Sequence, residues 1–186
     1  PEGYHVEFGG QFESEEAASR TLLFTSFISI IVIFLLIYHE FHDLRESAII
    51  LLNLPLALIG GVFTLLFTSG EISIPAIIGF ISLFGIATRN GMLLINRYKT
   101  LQHEGGKTLI ESVVHGSLDR LNPILMTALT SALALIPLAV NGDLPGNEIQ
   151  SPMAQVILGG LLSSTLLNGF IVPIVYLWMA KKETKA

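Results

Sequence analysis

An arginine in the middle of a long apolar run constrains this chain more than any other feature. Residues 74–98 are rich in Ile, Leu, Phe and Gly, and as a helix they are long enough to cross the ~30 Å hydrocarbon core of a bilayer. Arg89 and Asn90 lie inside this run. An arginine at the centre of a membrane helix costs roughly 2.5–3.5 kcal/mol unless water or a counter-charge compensates it. Arg89 is therefore a candidate functional residue, and the question is what balances its charge.

The carboxylates of the chain do not supply that balance, because all 15 Asp and Glu residues lie outside the apolar runs. Arg97 and Lys99 follow closely, so Arg89 could extend to a nearby membrane surface. Alternatively, its partner is a carboxylate that this chain does not contain. The second interpretation is favoured because small and polar residues share its helix face at helical spacing. These residues are Ser82, Gly85 and Asn96.

The composition predicts an all-α membrane protein. Hydrophobic residues make up 51% of the chain and charged residues only 13%, with a mean hydropathy of +0.66. The absence of cysteine excludes disulfides and thiolate metal ligands. No phosphate-binding loop is present, and no histidine lies in an apolar run to activate Ser163 or Ser164. The chain is therefore not predicted to be an enzyme.

The chain divides into an N-terminal segment, residues 1–19, and a membrane domain, residues 20–186. Alternating Tyr4, Val6 and Phe8 predict a short strand, which needs a sheet to join and so suggests that the chain is a fragment of something longer. Residues 13–19 predict an acidic helical turn. Five apolar runs predict membrane helices at about 21–38, 48–68, 74–98, 123–140 and 153–180, with a cytoplasmic loop at 99–121 that is predicted to be partly helical at 104–120. Glycines inside these runs are interpreted as packing sites.

The distribution of basic residues predicts the orientation in the membrane. Lys and Arg residues follow the first, third and fifth runs, whereas residues 69–73 and 141–152 contain none. Because positive charge favours the cytoplasmic side, the C-terminus is predicted to be cytoplasmic and the N-terminus periplasmic in a bacterial inner membrane. The lipid bilayer is then the main environment, and no nucleic-acid partner is indicated.

The fourth run carries a second polar stripe. Arg120 and Thr127 share a helix face with Thr130 or Ser131. Threonine hydroxyls in helices commonly bond the carbonyl four residues earlier, which explains each Thr but not the arginine on the same line. Together with Arg89, the stripe suggests a protonation pathway in which the arginine keeps a partner aspartate ionised until a proton releases it.

Other candidate chemistry is weaker. His39, His42 and Asp43 resemble metal ligands only loosely in their spacing, and an ordinary interfacial loop is favoured. Met92 and Met126 are interpreted as packing residues. No metal site and no cofactor are predicted.

Several motifs resemble the C-terminal end of resistance-nodulation-division efflux transporters, above all their heavy-metal branch. The motifs, in order, are residues 53–61 (NLPLALIGG), 85–92 (GIATRNGM), 116–130 (GSLDRLNPILMTALT), 145–153 (PGNEIQSPM) and 159–166 (GGLLSSTL). The resemblance implies the last five of twelve spans, with residues 1–19 ending a periplasmic porter domain. It also implies a homotrimer driven by proton influx, which docks with a periplasmic adaptor and an outer-membrane channel.

The resemblance also implies site residues. Arg89 and Asn90 fall on a Lys-Asn pair of the tenth span, which faces two aspartates on the fourth span. Arg120 and Thr127 fall on relay residues of the eleventh span. A copper and silver subgroup has a glutamate where Arg89 stands and a lysine where Ile124 stands, so this chain departs from that subgroup at both positions.

The sequence therefore predicts part of an inner-membrane antiporter that exports heavy-metal cations at the expense of the proton gradient. Arg89, Asn90, Arg120 and Thr127 belong to its proton relay, and the partner aspartate lies in the N-terminal remainder of the transporter. Two alternatives stay open. One is an exporter of drugs or other amphiphiles from the same superfamily, and the other is a membrane scaffold subunit that does not transport.

Overall fold

The structure, a computed structural model, describes residues 11–68, 70, 72–103, 106–142 and 144–183. Its five helices are α1 (Gln11–Phe41), α2 (Leu44–Phe67), α3 (Ile74–His103), α4 (Leu109–Val140) and α5 (Gln150–Glu183). Each is long and apolar enough to span a membrane. The predicted five-helix membrane architecture is confirmed, and the predicted strand at residues 4–8 lies outside the described residues.

The range 99–121, predicted as a cytoplasmic loop that is partly helical at 104–120, is mostly helical. α3 continues to His103, and α4 begins at Leu109. Thr108 starts α4 through a capping box, in which its hydroxyl accepts a hydrogen bond from the Glu111 backbone N–H and the Glu111 carboxylate accepts one from the Thr108 N–H. Pro123 lies inside α4 and does not end it. The helix therefore extends well beyond the apolar run that hydropathy detects.

α2 and α5 form the most extensive helix contact. A side chain on Gly159 would collide with the Thr64 hydroxyl and with the Gly60 carbonyl, so the two backbones touch directly. Across the same interface, the Ser163 hydroxyl donates to the Leu56 carbonyl at 3.0 Å. Small residues and interhelical hydrogen bonds are the usual means of association in a membrane, which confirms the packing role predicted for these glycines.

α3 is the most buried of the five helices, and α1 and α4 are the most exposed. α3 packs against all four others, whereas α1 contacts α2 and α3, and α4 contacts α3 and α5. A cluster of apolar side chains lies where the C-terminal parts of α1, α3 and α5 meet the starts of α2 and α4. Its fully buried members are Ile37, Ile50, Ile95, Tyr98, Val113 and Val172.

Charged contacts surround this cluster. The Lys99 ammonium of α3 lies 2.8 Å from a carboxylate oxygen of Glu46 in α2 and 5.4 Å from the ring centre of Phe41. The Tyr98 hydroxyl lies 2.6 Å from that of Ser117 in α4. The C-terminal part of α3 is therefore tied to α2 and to α4 by polar contacts.

Candidate functional site

Arg89 lies at the centre of α3. The helix contains 30 residues and so extends over about 45 Å, and Arg89 is nearly equidistant from Ile74 and His103. The sequence predicted that this helix ends at residue 98, whereas α3 continues to His103.

The Arg89 side chain occupies an open face of the bundle. Arg89, Ser82 and Gly85 are all exposed, and nothing lies within 4 Å of a side chain added at Gly85. Among the described residues, Arg89 forms no hydrogen bond and no ion pair. This face therefore carries small and polar residues and is not covered by the other four helices. It has room for another segment of polypeptide beside Arg89.

Asn90 lies about 100° around α3 from Arg89, on a packed face of the helix. It is 6% exposed, and its neighbour Gly91 lies directly against the side-chain amide nitrogen of Asn53 in α2. Arg89 and Asn90 are therefore adjacent in sequence but lie on different faces of the helix. The arginine faces outward, and the asparagine lies on the packed side.

The stripe on α4 is bonded within its own helix. The Thr127 hydroxyl donates to the Pro123 carbonyl at 2.9 Å, and the Thr130 hydroxyl donates to the Met126 carbonyl at 2.8 Å. Arg120 is half-buried. In the part of the chain that the structure describes, no hydrogen bond or ion pair joins Arg89, Asn90, Arg120 and Thr127 to one another. Their shared role in a relay remains a prediction.

Two buried asparagines were not predicted as site residues. Asn53 and Asn168 are each 1% exposed. Within the described part of the chain, the amide nitrogen of Asn53 and both amide atoms of Asn168 have no hydrogen-bond partner. A buried polar atom without a partner is unusual and needs an explanation. An asparagine inside an apolar run is a signal that sequence can give, but its packing and its missing partner are visible only in three dimensions.

The histidines that the structure describes do not assemble a metal site. Among the described residues, no group of three His, Asp or Glu side chains could hold a metal ion. His39 and His42 have ring centres 5.7 Å apart at the junction of α1 and α2. The neighbouring Asp43 carboxylate caps α2 by accepting a hydrogen bond from the Arg45 backbone N–H at 2.8 Å. Helix capping therefore accounts for this acidic residue.

Five membrane-length helices and an intramembrane arginine on an open face define a multi-span helical membrane protein. Its sequence matches the AcrB/AcrD/AcrF family over residues 1–180, and the chain belongs to that family. The match extends over nearly all of the chain.

Relatives from the same family carry heavy-metal names. The chain is 34% identical, over 100% of its length, to the cobalt-zinc-cadmium resistance protein CzcA of Cupriavidus metallidurans. It is 35% identical, over 99% of its length, to the nickel and cobalt resistance protein CnrA of the same organism. The crystal structure of a heavy metal efflux pump matches 97% of the chain with a TM-score of 0.82 at 35% identity.

The chain accounts for only part of each relative. It spans 17% of CzcA, 17% of CnrA and 18% of the crystallised pump. The family and the fold are therefore shown for these residues alone, which form less than a fifth of each relative.

Proposed function

We propose that this chain forms part of an inner-membrane pump that exports heavy-metal cations and is driven by proton influx. Membership of the family and the heavy-metal names of CzcA and CnrA support the cargo class. The single observation that supports the coupling mechanism is Arg89, a cation at the centre of α3 that has no counter-charge in the described chain.

Arg89 would be balanced by a carboxylate of the polypeptide outside these 186 residues. A guanidinium keeps its proton at all working pH values, so the carboxylate is the group that titrates. Facing Arg89, the ionised acid is stabilised. Once it takes up a proton, the attraction is lost and α3 can shift relative to the helix that bears the acid. The exposed, small-residue face around Gly85 suits such a movement, because it offers little steric resistance.

The other relay residues have different surroundings. The Thr127 hydroxyl already donates a hydrogen bond to the Pro123 carbonyl, but its oxygen can still accept one. Arg120 is half-buried nearer the start of the same helix, where its guanidinium can attract an acidic partner. Asn90, on the packed side of α3, would position the helix and not contact the acid.

The assembly would follow the family. The whole protein would be a homotrimer that docks with a periplasmic adaptor and an outer-membrane channel, with its C-terminus in the cytoplasm. The basic residues at the ends of α1, α3 and α5 support this orientation by the positive-inside rule. No cofactor is needed, because the proton gradient supplies the driving force.

The metal content of cells that make the protein tests this proposal. A host strain that lacks its own metal exporters is given the complete protein, its Arg89→Ala variant, or the control variant Arg20→Ala, which removes an exposed arginine from α1. We expect the complete protein and the control to lower cellular cobalt, zinc, cadmium or nickel, and Arg89→Ala to fail although it reaches the membrane. Unchanged metal content with every protein would contradict the cargo, and full activity of Arg89→Ala would contradict the coupling role.

A further inference from the structure

Two residues at the centre of α3 are poor helix formers. Asn90 and Gly91 lie next to each other in the middle of this 30-residue helix, and glycine is the least favourable residue in a helix interior after proline. Outside helices, the pair Asn-Gly marks turns. Because intrinsic propensity does not favour a helix here, packing against the neighbouring helices must keep this part of α3 straight.

The side chain of Asn53 in α2 covers Gly91. A side chain added at Gly91 would overlap the amide nitrogen of Asn53, so that nitrogen occupies the place where any other residue would carry its Cβ atom. In an α-helix this place lies over the preceding turn. The Asn53 amide therefore lies beside the backbone hydrogen bond that the Gly91 N–H donates to the Ala87 carbonyl within α3.

The amide nitrogen of Asn53 lacks an acceptor in this arrangement. Asn53 is 1% exposed, and in the part of the chain that the structure describes its amide nitrogen forms no hydrogen bond. Burial of a donor without an acceptor is costly. The carbonyl groups of α3 beside it are already used within the helix, so a local opening of α3 would supply the missing acceptor.

An asparagine side chain can bridge such an opening, because it carries the same donor and acceptor as a peptide group. Its amide nitrogen donates to the Ala87 carbonyl, and its amide oxygen accepts from the Gly91 N–H, so neither backbone group loses its partner. Insertion of a side chain into the backbone hydrogen bonds of a helix is a known cause of sharp kinks. Glycine at position 91 accommodates the altered backbone angles.

The two halves of α3 are held by different neighbours. In the C-terminal half, the Lys99 ammonium is paired with Glu46 of α2. In the N-terminal half, Gly79 packs against the backbone of α5, where an added side chain would lie 3.0 Å from the Met153 carbonyl. A bend at Gly91 therefore allows one half to move while the contacts of the other half are kept.

We propose that α3 has a second, bent conformation in which the Asn53 side chain bridges the hydrogen bond broken between Ala87 and Gly91. Arg89 lies two residues before Gly91 and belongs to the N-terminal half, so the bend changes the position of its guanidinium relative to the C-terminal half. The bend itself does not depend on transport. Only its use in proton coupling rests on the function proposed above.

Hydrogen–deuterium exchange of the complete protein in lipid nanodiscs, resolved to single amides by mass spectrometry, measures the opening. We expect measurable exchange of the backbone amides of residues 90–92, because hydrogen bonds around the bend are broken or lengthened. The amides of residues 154–161 in α5 serve as an internal reference for the stability of the whole bundle. Complete protection of residues 90–92 over several days would overturn the proposal.

Asn53→Ala gives opposite results for a bridge and for simple packing. If Asn53 only fills space, its truncation leaves a cavity and exchange at residues 90–92 becomes faster. If Asn53 stabilises the bent conformation, exchange there becomes slower, by about three- to tenfold for the loss of the bridging hydrogen bonds. Asn53→Leu keeps the volume but removes both polar groups, and it should slow exchange in the same way. Unchanged or faster exchange in these variants would show that the bridge does not form.

Asn168→Ala is the matched control, because it makes the same change at an asparagine of equal burial on α5. It should not slow exchange at residues 90–92. Equal slowing in Asn168→Ala and Asn53→Ala would show that the effect is not specific to the amide beside Gly91, and the proposal would be wrong. No metal or proton gradient enters the measurement, so failure of the pump proposal leaves this result interpretable.

Discussion

The Arg97 guanidinium donates two hydrogen bonds to a single carboxylate oxygen of Asp119, from Nη2 at 2.6 Å and from Nε at 3.0 Å. This pair joins α3 to the first turns of α4, beside the hydroxyl contact between Tyr98 and Ser117. Gly116 makes the approach possible, since a side chain there would come within 2.6 Å of the Tyr98 ring. The early part of α4 is therefore fixed to α3 by packing and by charge together.

The ion pair between Arg97 and Asp119 should contribute little to stability. Its side chains remain 35% and 46% exposed, and ion pairs in contact with water are weakened by solvent and salt. We expect Asp119→Asn to lower the melting temperature of the complete protein only slightly, and less at high salt. The measurement is thermal unfolding in detergent at two ionic strengths. A large loss that salt does not diminish would show that the pair is shielded and structural.

The contact between α2 and α5 at Gly159 should tolerate substitution far less than the Arg97–Asp119 ion pair does. A methyl group at Gly159 overlaps the Thr64 hydroxyl and the Gly60 carbonyl, and the backbone cannot yield as a flexible side chain could. We expect Gly159→Ala to cost about 1–3 kcal/mol, as other overpacked substitutions do.

Gly169→Ala is the matched control for Gly159→Ala, because it adds the same group to the same helix at a position where nothing lies within 4 Å. Thermal unfolding of the two variants should therefore separate them clearly, with Gly169→Ala close to the unmodified protein. Equal melting temperatures would mean that α2 and α5 are not packed as described.

Gly91 and Asn53 should be energetically coupled. A methyl group at Gly91 would overlap the Asn53 amide nitrogen, and Asn53→Ala removes that atom. We expect Gly91→Ala to destabilise the protein and Asn53→Ala to have a smaller effect. The double variant should lose less free energy of unfolding than the sum of the two single losses. A double-mutant cycle on unfolding should give a coupling energy of about 0.5–3 kcal/mol. Strictly additive losses would show that Gly91 and Asn53 are not in contact.

Sequence reasoning captured the architecture because hydropathy alone detects membrane-length helices. It placed the start of α4 too late, since the turns from Leu109 onward carry polar residues that do not register as an apolar run. The capping box of Thr108 and Glu111 was present in the sequence and would have marked the correct start. A search for caps, and not for hydrophobicity alone, would have found that boundary.

The candidate site was only partly accessible to sequence. The charge of Arg89 and the lack of an acid in the apolar runs can be read directly, but the separation of Arg89 from Asn90 depends on which side of α3 packs against α2. The burial of Asn53 and Asn168 was missed for a similar reason. Sequence shows a polar residue in a helix, whereas burial and a missing hydrogen-bond partner depend on the neighbouring helices.

The charge of Arg89, and not its forked geometry, should determine coupling, because its proposed role is to hold an acid ionised. Arg89→Lys keeps the cation and should retain part of the activity, whereas Arg89→Ala should retain none. Arg20→Ala again controls for the loss of an exposed arginine, and each variant is checked for correct assembly by its elution on size exclusion.

The central claim is that Arg89 couples proton movement to metal export. Its most direct test is metal-dependent proton flux in liposomes that contain the complete protein, followed with a pH-sensitive dye under an imposed pH gradient. We predict flux on addition of zinc or cobalt with the unmodified protein, reduced flux with Arg89→Lys, and none with Arg89→Ala. Undiminished metal-dependent proton flux in a correctly assembled Arg89→Ala protein would contradict the account.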